Sequence, residues 1–333
     1  MKERLLYIDC LKGFLILLVV LGHVLQKMYS PENFDQNLLF RLIYSFHMPL
    51  FFMVSGFVTK LNSISFDGLK KKTIKRFKQL IIPFCVWGII WHFTFNETTL
   101  WGFFREPDCS LWFLWDLFWI TLVFNLALYF GSLLKRVSTV VWILCGFILL
   151  KGLSYFWGSS FGLRGISDYY LYFFIGVLLG EFKSSIFKKN RLTPILTGFL
   201  FVMFGAFAIN WYRIPQSIPD TIPSFVYTIN SLSIYRFGTT LLGCLSFIYL
   251  FFLVDFRRFE KGLLFLGIRT LPIYAIHQTV IWLLLKYSHI SIGFWSTIPG
   301  FLIAFVLVLL ISLLIMYVLK QNRYVSLAFL GSE

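Results

Sequence analysis

The sequence is poor in charged residues. Only 14% of its 333 residues are Asp, Glu, Lys or Arg, whereas 58% are hydrophobic and 20% are aromatic, and the mean hydropathy is +0.79. Soluble domains carry about a quarter charged residues, so this scarcity excludes a water-soluble fold. Long polar segments are missing as well, since no loop exceeds about twenty residues, which excludes an additional soluble domain. We therefore expect one membrane domain that covers residues 1–333.

Cysteine is also scarce and shows no pattern. The five cysteines are odd in number, and their spacing matches no zinc or disulfide motif. We expect the four that fall inside spans, Cys10, Cys85, Cys145 and Cys244, to be packing residues, whereas Cys109 lies in a loop with no obvious partner. We expect the protein to hold no metal.

What is abundant is apolar sequence. A helix needs about 20 mostly apolar residues to cross a bilayer, and the chain offers about ten such stretches. The sequence thus predicts an all-α integral membrane protein, a bundle of about ten transmembrane helices. The predicted spans are 5–26, 38–59, 79–96, 111–131, 138–157, 168–182, 194–213, 232–254, 263–285 and 299–319.

The placement of the basic residues explains the formal charge of +15 without nucleic acid. With a cytoplasmic N-terminus, twenty cations fall on the cytoplasmic side and five on the other, as the positive-inside rule requires. Both termini are then cytoplasmic. The larger set is Lys2, Arg4, Lys60, Lys70, Lys71, Lys72, Lys75, Arg76, Lys78, Lys135, Arg136, Lys183, Lys188, Lys189, Arg191, Arg257, Arg258, Lys261, Lys320 and Arg323. The smaller set is Lys27, Arg105, Arg164, Arg213 and Lys286.

Ionisable side chains inside the first span mark a candidate site, because such groups are costly in lipid and should face the bundle interior. Asp9 and Lys12 are three residues apart, so they share a helix face and can form an ion pair. His23 returns to within about 20° of that face, roughly 16 Å further along the axis. The alternative reading is a snorkelling lysine and an interfacial histidine.

The second span carries a histidine next to a helix-bending residue. His47 is followed by Pro49, and Ser55 and Gly56 come later in the same span. Proline frees a backbone carbonyl and bends the helix, and glycine permits close approach, so these residues predict an interior cavity. A kinked helix with a packing histidine would give the same pattern.

The remaining ionisable residues of the spans have no assigned role on sequence alone. His277 follows Pro272 and Tyr274 and either lines the same cavity or is a packing histidine. Asp116 can pair with Arg236, Arg269 or Lys151, and His92 lies near the end of a span. The basic turn at residues 70–78 is either a topology anchor or a docking point for a cytoplasmic polyphosphate.

Six segments, ordered along the chain, carry a family resemblance. They are IDCLKGFLILLVVLGH (8–23), FHMPLFFMVSGF (46–57), KRFKQLIIPF (75–84), WFLWDLF (112–118), YFFIGVLLG (172–180) and LPIYAIHQ (271–278). In this order the sequence resembles membrane-bound acyltransferase family 3, in particular its branch of sugar O-acetyltransferases related to fucose 4-O-acetylase. Lys12 and His23 fit that family's pattern of a basic residue, a gap of ten residues and a histidine.

The resemblance implies a ten-helix bundle that moves an acyl group, usually acetyl, from cytoplasmic acyl-CoA to a hydroxyl of a sugar or glycan. It implies that His23 and His47 are functional and that Lys12 supports the first. It also implies that the turn with Lys75, Arg76 and Lys78 holds the CoA phosphates. The family often has a second arginine three residues after the first in that turn, where this chain has Gln79.

From the chemistry of acyl transfer we expect His23 to be the general base or a transient acyl carrier, because imidazole has a suitable basicity. Asp9 and Lys12 would tune His23, and His47 would be its partner acid or orienting group. Arg41 and Ser55 are candidates to contact the thioester oxygen of acetyl-CoA. The partners would be acyl-CoA, a glycan acceptor that can be lipid-linked, and membrane lipids of a bacterial plasma membrane. The alternative is a transporter or exporter of a small anion or lipid-linked glycan.

Overall fold

The computed structural model describes residues 5–95, 100–107, 111–134, 136–219, 221–254 and 260–331. Within these ranges the regular structure is helical and no strand occurs, which confirms the predicted all-α class. Five cations used for the predicted topology lie outside the described residues: Lys2, Arg4, Lys135, Arg257 and Arg258.

The α-helices are numbered in chain order. They are α1 Leu6–Val24, α2 Leu38–Tyr44, α3 His47–Phe57, α4 Phe66–Arg76, α5 Ile82–Phe95, α6 Leu100–Arg105, α7 Trp112–Leu133, α8 Thr139–Trp157, α9 Leu163–Glu181, α10 Lys183–Ile186, α11 Leu192–Ala208, α12 Ser224–Ser231, α13 Ser233–Leu253, α14 Glu260–Gly267, α15 Thr270–Tyr287, α16 Ile292–Trp295, α17 Ile298–Leu319 and α18 Arg323–Leu330. Short 3-10 turns occur at Phe34–Gln36, Ser160–Gly162 and Pro215–Ser217.

The described part of the chain contains seven helices, some of them continued or joined, that are long and apolar enough to cross a membrane. An eighth candidate span is the pair α14 and α15, which is bent by 79° at its break. The two remaining predicted spans correspond to α9 and to the 17-residue helix α11. A multi-pass membrane protein is thus supported, and the count of ten spans with cytoplasmic termini stays a prediction.

Two helices are continued by π-helical turns. The turn Leu25–Tyr29 follows α1 directly after His23 and Val24, and the turn Phe77–Ile81 follows α4 directly after Arg76. Such turns are rare in proteins overall, and many of those that do occur lie at functional sites. Both lie beside residues that the sequence marks as candidates.

The chain folds into two compact units, which are described separately. Unit 1 comprises Met1–Phe51 and Phe182–Leu313, and unit 2 comprises Phe52–Glu181 and Leu314–Glu333. The predicted single domain of residues 1–333 stays a prediction.

In unit 1, helices α1 and α14 touch through glycine. Gly13 lies against the backbone of Leu263, and Gly267 lies against the backbone of Asp9. Small residues let transmembrane helices approach this closely, so backbone contact replaces side-chain packing here. A cluster of aromatic rings packs α13 against the start of α3, with Phe46 stacked on Phe247 at a centroid distance of 4.4 Å.

In unit 2, glycines likewise allow close backbone contact, here between the end of α3 and α9. Gly176 lies against the backbone of Met53, and Gly180 against that of Phe57. At the other end of the unit, the Trp87 indole donates to the carbonyl of Phe329 at 2.9 Å and so fastens α18 to α5.

Candidate active site

His23 lies at the end of α1, half-buried, and its ring contacts polar side chains of two other helices. The amide nitrogen of Gln278, in α15, lies 3.1 Å from His23 Nδ1 and 3.2 Å from Nε2. The Tyr44 hydroxyl, at the end of α2, lies 3.4 Å from Nδ1. Neither ring nitrogen has a described backbone partner, which leaves the His23 imidazole held by side chains alone.

Two further imidazoles complete a cluster around His23. The His277 ring lies 5.2 Å from that of His23, centroid to centroid, and the His47 ring lies 4.8 Å from that of Tyr44. His47 and His277 are 2% and 0% exposed, respectively, so of the three histidines only His23 is half-buried rather than buried. The structure thus brings the predicted pair, His23 and His47, into one cluster through Tyr44, and it places the His277 ring beside that of His23.

The hydrogen bonds of His47 and His277 determine where each ring carries its proton. His47 Nδ1 lies 2.8 Å from the carbonyl of Ile43, and His277 Nδ1 lies 2.8 Å from that of Tyr274. A carbonyl only accepts, so each Nδ1 is the donor and the lone pair of the neutral ring is on Nε2. Among the described residues, His277 Nε2 is buried without a hydrogen-bond partner.

Tyr44 joins the histidines. Its hydroxyl donates to Gln26 Oε1 at 3.1 Å, and its ring is stacked on Phe40 at 3.8 Å. Because Tyr44 faces His23 through its hydroxyl and His47 through its ring, it fixes the geometry between the two.

The break between α2 and α3 explains how His47 enters the site. Pro49 has no N–H, so it cannot bond to the carbonyl of Ser45, and the helix is interrupted at Ser45 and Phe46. The freed Ser45 carbonyl accepts a hydrogen bond from the Thr240 hydroxyl at 2.7 Å. The predicted proline kink is present, and a partner from α13 stabilises it.

Asp9 and Lys12 form the predicted ion pair, with Lys12 Nζ 3.1 Å from Asp9 Oδ1. Their side chains are 12% and 25% exposed, so the pair is largely removed from solvent. It lies near the start of α1, about 16 Å along the axis from His23. The close contacts of His23 are instead with Gln278, Tyr44 and His277, and tuning of His23 by the ion pair stays a prediction.

Of the predicted thioester and cofactor ligands, Arg41 is engaged elsewhere in unit 1. Its guanidinium donates to the carbonyl of Ile209 at 2.6 Å and lies over the Tyr212 ring. Ser55 belongs to the part of α3 in unit 2 and is half-buried.

The basic turn also belongs to unit 2. Lys75 and Lys78 are exposed, and the half-buried Arg76 guanidinium contacts Gln79 Oε1 at 3.4 Å. Clustered exposed cations are suited to binding a polyphosphate. Their roles, like those of Arg41 and Ser55, stay predictions.

The other intramembrane charges have local partners. Lys151 pairs with Asp168, and the Arg269 guanidinium donates to the Phe265 carbonyl at 2.9 Å. Asp116 is buried against Gly162 and Gly165 at the start of α9. Lys151, Asp168 and Asp116 thus connect helices within unit 2, and Arg269 is bonded to the turn before it.

Sequence reasoning missed Tyr44 and Gln278. Gln278 carried a usable signal, because a glutamine inside an apolar span needs a polar partner as a histidine does. Tyr44 gave no such signal in the sequence, since tyrosine is common near membrane interfaces. No three His, Cys, Asp or Glu side chains in the described ranges group as a metal site would.

The helices and this cluster define a multi-pass membrane protein with a polar, histidine-rich site inside an apolar bundle. Residues 5–317 match the family described as Acyltransferase domain, and the chain therefore belongs to this acyltransferase family.

The chain is also similar to curated relatives. It is 34% identical over 155 residues to Nodulation protein NolL of Sinorhizobium fredii, a stretch that covers 43% of this chain and 40% of that protein. It is 30% identical over 128 residues to Nodulation protein NolL of Mesorhizobium japonicum, which covers 35% of this chain and 34% of that protein. The matches thus span less than half the length of these relatives. No solved structure matches the chain.

Proposed function

We propose that the protein is a membrane O-acyltransferase that moves an acetyl or similar short acyl group from cytoplasmic acyl-CoA to a hydroxyl of a sugar or cell-surface glycan. Its membership of the acyltransferase family supports the reaction class. The observation that carries the proposal is the His23 imidazole, in a half-buried residue, contacted by Gln278 and Tyr44 and close to two buried histidines.

His23 is the proposed general base. The acceptor hydroxyl attacks the thioester carbonyl while its proton passes to a nitrogen of His23. The tetrahedral intermediate then collapses, the carbon–sulfur bond breaks, and the proton returns to the thiolate, so that an ester and free CoA thiol result. Preorganised contacts keep the base in position at no cost during the reaction, which is what Gln278 and Tyr44 supply.

His47 is the proposed partner of His23, acting through Tyr44, which contacts both rings. His277 has a different part. Its Nδ1 donates to the Tyr274 carbonyl, and its Nε2 lone pair has no partner among the described residues. His277 is therefore the proposed group to which His23 passes its proton. Transfer through an acyl-His23 intermediate uses the same residues in two steps, with the acyl group first bonded to a ring nitrogen.

The donor enters from the cytoplasm in this proposal, with its phosphates at Lys75, Arg76 and Lys78. On the predicted topology, His23 lies toward the non-cytoplasmic end of its span. An acceptor hydroxyl would then approach His23 from the non-cytoplasmic side.

The experiment that tests the proposal measures free thiol released from acetyl-CoA by membranes that contain the protein, with and without a glycan extract from the host cell envelope. His23→Ala should reduce acceptor-dependent release by roughly a hundredfold or more, because a positioned base contributes at least that factor. His289→Ala, at an exposed loop histidine, is the matched control. Full activity of correctly inserted His23→Ala and His47→Ala variants would exclude the assignment.

The second candidate is a transporter or exporter of a small anion or lipid-linked glycan, favoured by the presence of cations and histidines within spans. A transporter would release no thiol from acetyl-CoA on addition of acceptor. Incubation with labelled acetyl-CoA without acceptor, followed by mass spectrometry of the peptide around His23, distinguishes an acyl-enzyme from direct transfer.

A further inference from the structure

The loop of residues 209–217, here called the clamped loop, is fixed by side chains from distant parts of unit 1. Asp35, 3% exposed, accepts hydrogen bonds from the backbone N–H of Arg213 at 2.9 Å and of Ile214 at 2.8 Å. It also accepts from the Ser217 hydroxyl. With three donors, the Asp35 carboxylate is fully used in holding the loop.

Three other side chains hold the remaining backbone of the clamped loop. Asn230, 1% exposed, donates to the Asn210 carbonyl at 2.6 Å and accepts from the Tyr212 N–H at 2.9 Å. Arg236 donates to the carbonyls of Tyr212 and Arg213 at 3.0 and 3.2 Å. Arg41 donates to the Ile209 carbonyl. A loop held at so many backbone groups presents its side chains in one place.

The clamped loop presents Arg213 beside the candidate active site. The guanidinium carbon lies 5.3 Å from the centroid of the Tyr44 ring, whose hydroxyl contacts His23. Arg41 and Arg236 donate to backbone carbonyls, whereas the exposed Arg213 guanidinium has no ion pair or hydrogen bond within the described ranges.

A second cation lies at the same end of the cluster. Lys27 and Trp282 come four residues, one helical turn, after His23 and Gln278, which contact each other. The Lys27 ammonium lies 5.7 Å from the centroid of the Trp282 ring. Like Arg213, it has no carboxylate partner in the described part of unit 1. The contact between His23 and Gln278 is thus followed, one turn on, by an unneutralised charge.

Their placement runs against the topology of the chain. On the predicted topology Lys27 and Arg213 belong to the five cations of the non-cytoplasmic side, where the positive-inside rule disfavours basic residues. Lys27 and Arg213, two of these five cations, lie beside the histidines. Arg213 belongs to the clamped loop, whose backbone is held by hydrogen bonds from several side chains. Both cations contact aromatic rings and neither has a carboxylate partner among the described residues, so their positive charge attracts an anion.

We infer that Arg213 and Lys27 form an anion-binding subsite for the acceptor, which recognises a carboxylate or phosphate carried by the sugar whose hydroxyl approaches His23. The forked donors of a guanidinium match either group in a bidentate geometry. This inference rests on the proposed transfer to a glycan. It adds that the acceptor is an anionic sugar and that its charge sets the position of its hydroxyl.

The test is a protection experiment that needs no catalysis. The purified full-length protein in neutral detergent is treated with the arginine reagent phenylglyoxal, and modification of each arginine is measured by mass spectrometry. The probes are methyl glucuronide, glucose 1-phosphate and, as the uncharged match, methyl glucoside. The two charged sugars should slow modification of Arg213 about threefold, the scale of an exposed ion pair, and methyl glucoside should not slow it. Arg164, also exposed, is the internal control and should react alike in all samples.

Variants connect the protection to the subsite. Lys27→Gln should lose most of the protection at Arg213, and Asp35→Asn, which removes acceptors from the loop backbone, should weaken it while the protein remains inserted. Arg213→Lys should bind the charged probes more weakly in equilibrium dialysis, and Arg213→Gln should lose discrimination between glucuronide and glucoside.

Three results would overturn the inference: equal protection by methyl glucoside, no protection by either charged sugar, or protection by phosphatidylglycerol micelles alone. The last would identify a lipid headgroup as the ligand. Because the readout is chemical modification, it stands apart from the thiol assay. Protection without turnover would count against the proposed reaction only, and turnover without protection would count against the subsite only.

Discussion

The hydrogen bond between Gln278 and His23 gives the sharpest test of how the proposed general base is held in position. Gln278 is 5% exposed, and its amide is the only described contact of His23 Nε2. Gln278→Leu keeps the approximate volume and removes the donor. A neutral hydrogen bond contributes about 0.5–1.5 kcal/mol, so the maximal rate of acyl transfer should fall about two- to twelvefold. The Michaelis constant for acetyl-CoA should not change, because the donor phosphates bind elsewhere in the proposal.

The assay is acceptor-dependent release of free thiol in membrane vesicles, normalised to the amount of inserted protein. Gln321→Leu is the matched control, since Gln321 is exposed beyond α17 and its amide reaches only the Tyr317 carbonyl, at 3.4 Å. If Gln278→Leu retained the full maximal rate, the amide would not order His23. A loss of a hundredfold or more would point to direct contact of Gln278 with substrate.

Three further predictions concern the cluster and its supports. His277→Leu removes the unpartnered Nε2, so thermal stability in detergent should stay the same or rise, and the rate of acyl transfer should fall about tenfold. An unchanged rate would show that His277 is a packing residue. Lys12→Met removes the ammonium that pairs with the Asp9 carboxylate and should cost about 1.5–3 kcal/mol, seen as a lower unfolding midpoint. Asp9→Asn in the same chain should restore most of this loss, and no change in the single variant would refute a stabilising pair. Gly267→Ala should cost about 1–3 kcal/mol of packing free energy and so lower the yield of folded protein, whereas Gly262→Ala, with open space around it, should leave the yield unchanged. Equal yields of the two variants would contradict the close contact of α1 and α14.

The spans were predictable because membrane insertion depends on local composition. Apolar length alone located a helix at each predicted stretch, and the proline at position 49 predicted the interruption before His47. The Asp9 and Lys12 pair followed from helical spacing, since residues three apart share a face. Each of these features depends on residues close together in the chain.

The partners of the histidines were not predictable in the same way. Gln278 is 255 residues from His23, and Asp35 holds amides 178 and 179 residues away. Such contacts depend on how helices pack, which a single sequence does not encode in any local pattern. The bend between α14 and α15 was missed for the same reason, because a continuous apolar stretch reads as one straight span.

The π turn after α1 sets the direction in which the side chains of Leu25–Tyr29 point around the helix axis. Each of its hydrogen bonds encloses one residue more than an α-helical turn does, so removing one residue from Leu25–Tyr29 would allow an ordinary helix. Side chains beyond the deletion would then turn by about 100° around the axis, and the ring of Trp282 would face a different neighbour. In a relative with one residue more or one fewer in this turn, different side chains would surround the same histidine. We therefore expect the length of this turn to influence which acceptor the proposed site binds, while the histidines stay the same.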